Sequence, residues 1–132
     1  MYRTYRTETN PPILDSLSAL NLLESYESKT AFGSAPICPK YGKIENFPQG
    51  GVVGTSSLRR ASQLKHHRPD LLVRNLRGNV QTRVRKLDRG EVDATILAVA
   101  GLKRINLEER ITEVLPMEWM LPAIGQGAIG IE

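Results

Sequence analysis

GVVGTSSLRRASQLKHHRPDLLVRNLRGNV, residues 51–80, holds the alternation that decides the fold. Val52-Val53 is a short apolar strand that ends in Gly54-Thr55-Ser56-Ser57. Leu58 to His67 reads as a helix. It is stopped by Arg68-Pro69, because proline lacks an N–H and disfavours helical backbone in the residue before it. Leu71-Leu72-Val73 begins a second strand, expected to run to about Leu76. Arg77-Gly78-Asn79 is a turn, and Asn79 is a suitable N-cap for a helix over Val80–Arg89. Gly90 supplies the C-terminal stop.

Working outward, ATILAVA (Ala94–Ala100) is a continuous apolar run, expected as one strand covered on both faces of a sheet. Gly101 leads into a helix expected through about Arg110. AIGQGAIGI (Ala123–Ile131) is a last extended run. On the N-terminal side, residues 28–50 are rich in Gly, Pro and Ser and read as loop, with a short extended piece near Ala35–Cys38. Residues 13–27 space Ile13, Leu14, Leu17, Leu20, Leu22, Leu23 and Tyr26 at roughly helical intervals. Residues 1–12 are polar, end in Pro11-Pro12 and are expected to be disordered or extended. Strands alternating with helices predict an α/β fold: a mostly parallel sheet with flanking helices.

Composition narrows the function. The 132 residues suit one domain, and aromatic residues are only 5% of them, so the core must be aliphatic. No apolar run approaches the ~20 residues needed to cross a bilayer, and Met1 to Asn10 shows no secretory signal. The single cysteine, Cys38, cannot form an internal disulfide, which fits a reducing compartment. The net charge of +4 is unevenly placed: residues 54–104 hold twelve Lys/Arg against four Asp/Glu, a local surplus of eight. A surplus that local calls for an anionic partner or a strongly solvated face.

Position chooses between these. Each strand-to-helix junction carries arginine: Thr55 to Arg60, then Leu76 to Asn79 with Arg83 one turn into its helix, then Ala100 to Arg104. In a parallel sheet all such junctions lie at the carboxyl edge, where open α/β sheets bind ligands. Arg59, Arg60, Lys103 and Arg104 are all expected in a first helical turn. The helix dipole disfavours a cation there by about 0.3–1 kcal/mol. An anion reverses the sign, drawing on the arginines, the Ser56 and Ser57 hydroxyls and free backbone N–H groups. Arginine suits carboxylates because its planar fork binds two oxygens at once. Any one of these arginines reads as an ordinary surface residue. The three junctions together predict a small ligand with several carboxylates or phosphates.

At these residues the sequence resembles a known family. VGTSSLRRASQL (Val53–Leu64), RNLRGNVQTRVRKLD (Arg74–Asp88), ATILAVAGLKR (Ala94–Arg104) and LPAIGQGAIGIE (Leu121–Glu132) resemble consecutive segments of porphobilinogen deaminase (hydroxymethylbilane synthase), in order and at the expected spacing. The resemblance is strong over 51–132, reaches back weakly to about Cys38, and is not seen over residues 1–37. Enzymes of this family join four porphobilinogen molecules head to tail, releasing ammonia, in tetrapyrrole biosynthesis. They build on a dipyrromethane primer attached to a cysteine, and each pyrrole bears acetate and propionate arms. The resemblance implies one lobe of a periplasmic-binding-protein-like fold. It also implies that Ser56, Ser57, Arg59, Arg60, Arg77, Arg83 and Arg104 bind those carboxylates, with Asn79 and Gln126 beside them. Gly78 and Gly125 would let backbone approach closely.

The departures set a second expectation. Family members have three domains and more than twice this length. Their catalytic aspartate follows a lysine in an N-terminal domain, and no Lys-Asp pair occurs here. Their primer cysteine lies in a C-terminal domain after a glycine pair, whereas Cys38 precedes the arginine segments. The chain is therefore expected to be the family's second domain, over 38–132, with an unmatched segment at 1–37 and no turnover of its own. It is expected in cytoplasm or plastid, where the pathway runs, and to self-associate if docking faces are exposed.

Three further features carry no function in the sequence. Cys38 has no flanking group that lowers its pKa and reads as an incidental thiol. His66-His67 are adjacent on a helix, point in different directions and lack a third ligand, so no metal is expected. Trp119 is expected to pack against a neighbour. Two other function classes compete with the transferase reading: a basic nucleic-acid-binding module, favoured by a pI near 9.5 but not by the scarcity of stacking aromatics, and a non-catalytic interaction module.

Overall fold

The computed structural model describes residues 33–124. The helix expected over 13–27, the segment 1–12, and the C-terminal run from Gly125 onward, with Gln126, lie outside the described residues. Four strands are present: β1 (Ser34–Ile37), β2 (Val52–Gly54), β3 (Leu72–Arg74) and β4 (Ala94–Ala98). Three helices alternate with them: α1 (Leu58–His67), α2 (Val80–Asp88) and α3 (Val99–Arg104). Short 3-10 turns occupy Ile44–Asn46 and Glu108–Arg110.

The sheet order is β1-β4-β2-β3. β2 is parallel to both β3 and β4, and β1 is antiparallel to β4. The chain leaves β2 to form β3 on one side, then passes back to form β4 on the other. The carboxyl ends of β2 and β4 therefore frame a switch point, the place where such sheets open a crevice.

Both faces of the sheet are covered. Val53, Ala94 and Ile96 pack with Leu64 of α1, Leu71, Phe47 and Met120. On the other face Ala35, Ile37 and Leu97 pack with Val84 and Leu87 of α2 and Val99 and Leu102 of α3. Alternate residues of one strand feed opposite faces, which is why β4 is apolar but for Thr95, whose buried hydroxyl donates to the Gly54 carbonyl over 3.0 Å. Full burial of a side chain such as Leu64 stabilises the fold by about 2 kcal/mol. The β1 edge is covered by the segment after α3: Thr112 N–H donates to the Pro36 carbonyl (3.2 Å) and Leu115 N–H to the Ser34 carbonyl (3.0 Å).

Three sequence expectations need correction. ATILAVA is not one strand, because β4 ends at Ala98, opposite the first residue of β1, and α3 begins at Val99. Val99 and Leu102 are buried, so the apolar run continues across the change from strand to helix, and periodicity does not mark that change. The helix expected through Arg110 ends at Arg104. Leu107 N–H returns to the Leu102 carbonyl (2.9 Å), and Asn106 adopts a left-handed φ of 54°. β3 stops at Arg74, and Leu76 leaves the sheet to be buried against the α2 face. By contrast α1 has the expected bounds, and α2 begins at Val80 and is followed by Gly90 at φ 75°.

Candidate functional site: an arginine rim at the carboxyl edge

The loop from β2 to α1 is built by its own hydroxyls. Thr55 N–H donates to the Arg74 carbonyl (3.0 Å), and Ser57 N–H donates to Thr55 Oγ1 (3.2 Å). Ser57 is the N-cap of α1, its Oγ accepting from Arg60 N–H at 3.3 Å. Its own hydroxyl proton stays available to donate. Ser56 is exposed and its hydroxyl has no protein partner among the described residues.

This cap places Arg59 and Arg60 in the first turn of α1. Arg59 Nη1 donates to the Leu121 carbonyl. Arg60 is buried, at 9% exposure. Its Nε donates to Ser34 Oγ over 3.1 Å, while Nη1 and Nη2 have no acceptor among the described residues. Burial, then the charges of Arg59 and Arg83, push its pKa down to about 10.

Arg83 reaches this group from the opposite face of the sheet. Its Nε donates to the Gly78 carbonyl (2.8 Å). Asn79 caps α2 through Oδ1, which accepts from Thr82 N–H at 2.8 Å. Gly78 adopts φ 121°, and a Cβ there would lie 2.7 Å from Thr82 Cγ2. Glycine is thus required for the turn itself. Arg77 is exposed, and its carbonyl accepts from Lys86 Nζ (3.1 Å).

Arg104 departs from expectation. α3 has six residues, and Lys103 and Arg104 lie in its last turn, not its first. They therefore complement the helix dipole instead of opposing it. The reason is the early end of β4, which moves the helix start from Gly101 to Val99. Arg104 stands about 7 Å along the axis from that start, with its Cβ tilted back toward it.

Among the described residues the ion pairs are Lys43–Glu45, Arg68–Asp70 and Arg110–Asp88, and none includes a rim arginine. The rim is therefore a group of guanidinium ions without counter-charge. Arg59 and Arg83 both lie close enough to Arg60 to repel its charge. Such an arrangement suits an anion with several carboxylates.

Other candidates lie elsewhere. β1 runs antiparallel to β4, so Cys38 falls beyond Thr95, at the amino end of β4 and the edge opposite the rim. It is fully buried, and burial followed by Glu113 pushes its thiol up to about 12. The His67 ring stacks on Trp119 at 4.3 Å and 13°. A groove of about 330 Å³ runs beside this pair, walled by Ile44, Arg68 and Leu115, and includes no rim arginine.

Two residues were invisible to sequence reasoning. Ser34 sits in a stretch read as loop, 26 positions from Arg60. Gln63 holds Leu121 from 58 positions away. No local pattern signals either contact. No helix among the described residues is long and apolar enough to cross a membrane. The family model described as "Porphobilinogen deaminase, dipyromethane cofactor binding domain" matches residues 18–132.

Proposed function

The chain belongs to the porphobilinogen deaminase family, and from that premise we propose that its arginine rim holds the acetate and propionate carboxylates of linked pyrroles. The family is a transferase of tetrapyrrole biosynthesis, and the matched domain is the one that binds the dipyrromethane cofactor. The four-stranded, mostly parallel sheet with flanking helices is consistent with the periplasmic-binding-protein-like fold of this domain.

The observation that carries the reading is Arg60. Arg60 holds a charge at 9% exposure with no carboxylate partner, a cost that the solvent still reaching its two Nη groups relieves only in part and that an anion there would offset. Arg59 and Arg83 raise that cost until the anion arrives. The carboxylate arms of a dipyrromethane fit this requirement, and Arg77, Arg104, Ser56, Ser57, Asn79 and Gln126 complete the set in this reading. When bound, the dipyrromethane supplies the primer on which the pyrrole chain grows. The residues of this chain bind and orient its carboxylates.

Cys38 does not fit as the covalent anchor. It is fully buried at the wrong edge of the sheet, and its thiol is held protonated. The 132 residues also contain no Lys-Asp pair to supply the family's catalytic carboxylate. These residues by themselves bind polypyrroles without turnover, in the cytoplasm or plastid where the pathway runs. A nucleic-acid reading is disfavoured because the arginines gather at one sheet edge instead of along a helix face.

The test is a calorimetric titration with a synthetic dipyrromethane bearing acetate and propionate arms. The control is the Arg59→Ala, Arg77→Ala double variant. Saturable, salt-sensitive binding that is lost in the control supports the reading. No binding by the folded chain, or salt-steep binding of duplex DNA in its place, overturns it.

A further inference from the structure

We infer that Ser34 is a positioning residue for the anion site: it holds the Arg60 guanidinium by Nε so that the two Nη groups face a ligand. The inference rests on the reading of the rim given above.

Ser34 reaches this place through strand pairing. It is the first residue of β1 and lies opposite Ala98, the last residue of β4. It is therefore at the carboxyl edge, although β1 runs against the other strands. It is 3% exposed, and its backbone carbonyl is fixed by Leu115 N–H. The serine backbone is thus fixed, and its buried hydroxyl lies within reach of α1. Arg60 comes from α1 and meets it at 3.1 Å.

The chain shows how it treats an arginine used only for structure. Arg68 forms a two-point pair with Asp70, at 2.8 and 2.7 Å, and also donates to the carbonyls of Ile44 and Phe47. Arg110 pairs with Asp88 at 2.6 Å. Arg60, more buried than either, receives a neutral hydroxyl on one nitrogen and nothing on the other two. A hydroxyl satisfies the Nε donor without cancelling the charge. It orders a long side chain before the ligand arrives, so that binding need not supply that order. The remaining end-on fork has the width of a carboxylate.

The test uses the full chain and three variants: Ser34→Ala, Ser34→Thr and Ser34→Asp. The probe is the same synthetic dipyrromethane, titrated by calorimetry. In parallel, the Arg60 Nε–H resonance is followed by NMR without ligand, assigned by its loss in Arg60→Lys. Ser34→Ala is expected to broaden or lose that resonance and to weaken binding roughly tenfold. Ser34→Thr keeps the hydroxyl and is expected to restore both. Ser34→Asp supplies the missing counter-charge in place, and is expected to keep the resonance while weakening binding more than about a hundredfold. A purely structural serine would let affinity follow the melting temperature across the three variants, and that pattern would overturn the inference. So would an unchanged resonance in Ser34→Ala, even where the wild-type chain binds. If the wild-type chain takes no dipyrromethane, the functional reading fails, and the positioning role fails with it.

Discussion

Gln63 and Leu121 are joined by two hydrogen bonds of opposite sense. The Leu121 amide donates to Gln63 Oε1 over 2.7 Å, and Gln63 Nε2 donates to the Leu121 carbonyl over 3.2 Å. One side chain thus imitates a neighbouring strand for one backbone residue. Arg59 Nη1 donates to the same carbonyl, so the segment after Met120 is tied to the helix that carries the rim. Met120 itself is buried and Leu121 is exposed, which makes this bracket the point where the chain leaves the core.

The bracket should be measurable by hydrogen exchange. Replacing Gln63 with Leu keeps a helix former but removes both of its hydrogen bonds to Leu121, leaving the Leu121 amide without its acceptor and the carbonyl with Arg59 alone. The Leu121 amide is expected to lose protection, while the amides of Val53 and Ile96 in the sheet keep theirs. The loss of global stability should be about 1–2 kcal/mol, the value of two partly exposed hydrogen bonds. Unchanged exchange at Leu121 would show that the contact is not held in solution.

The second prediction concerns the start of α2. Asn79 accepts from Thr82 N–H, and Gly78 before it sits at φ 121° against the Thr82 side chain. Asn79→Ala removes the cap and should lower stability by about 1 kcal/mol. Asn79→Gly should cost only a few tenths. Gly78→Ala must strain the backbone and displace Thr82, so thermal melts should rank it as the most damaging of the three. A melting temperature for Gly78→Ala at or above that of Asn79→Ala would contradict this geometry.

What could be read from the sequence divides along a physical line. Local signals worked where one residue does a local job. Asn79 caps α2, Arg68-Pro69 ends α1, and Gly90 ends α2. Local signals failed where burial hides a change of structure, as at Ala98 to Val99, because a covered strand and a covered first helical turn are equally apolar. That failure moved Arg104 from the start of a helix to its end. Arg59, Arg60 and Arg83 were legible as a group because a parallel sheet collects its junctions at one edge. Ser34 and Gln63 were not, since their contacts cross 26 and 58 positions and their residue types are common.

Cys38 gives a third prediction. With its thiol held near 12, about one part in ten thousand is thiolate at pH 8. The native chain should therefore resist iodoacetamide under conditions that alkylate it within minutes in urea. The same shift has a sign for stability. The folded thiol keeps its proton above the unfolded value of 9.0, so the unfolded chain holds fewer protons there, and stability falls as pH rises from about 9 toward 12. Cys38→Ala should lose that slope. Mass spectrometry of the alkylated protein reads the first effect, and urea melts between pH 8 and 10.5 read the second. Rapid native alkylation would mean that the Cys38 edge opens readily.

The fourth prediction separates a functional arginine from a structural one. Arg60 is charged at pH 7 in both the folded and unfolded chain, but folding buries that charge beside Arg59 and Arg83 without a counter-ion. Its folded value near 10 lies below the ordinary arginine value, so the unfolded chain holds more protons between those limits. Stability therefore rises with pH from about 10 upward as the folded group sheds its proton. Arg60→Met removes the charge and keeps most of the volume. Near pH 7 this variant should be as stable as the wild type or more stable by about 1 kcal/mol. Its advantage should shrink above pH 10, a comparison in which the Cys38 contribution cancels because both chains carry it. A bound polycarboxylate reverses the order. At a concentration near a hundred times its dissociation constant it should stabilise the wild type by about 2.7 kcal/mol, and the variant by much less. Thermal melts with and without the dipyrromethane provide both numbers. A variant that loses more than about 2 kcal/mol without ligand would mark Arg60 as a structural residue, and the rim would then lose the observation on which its function rests.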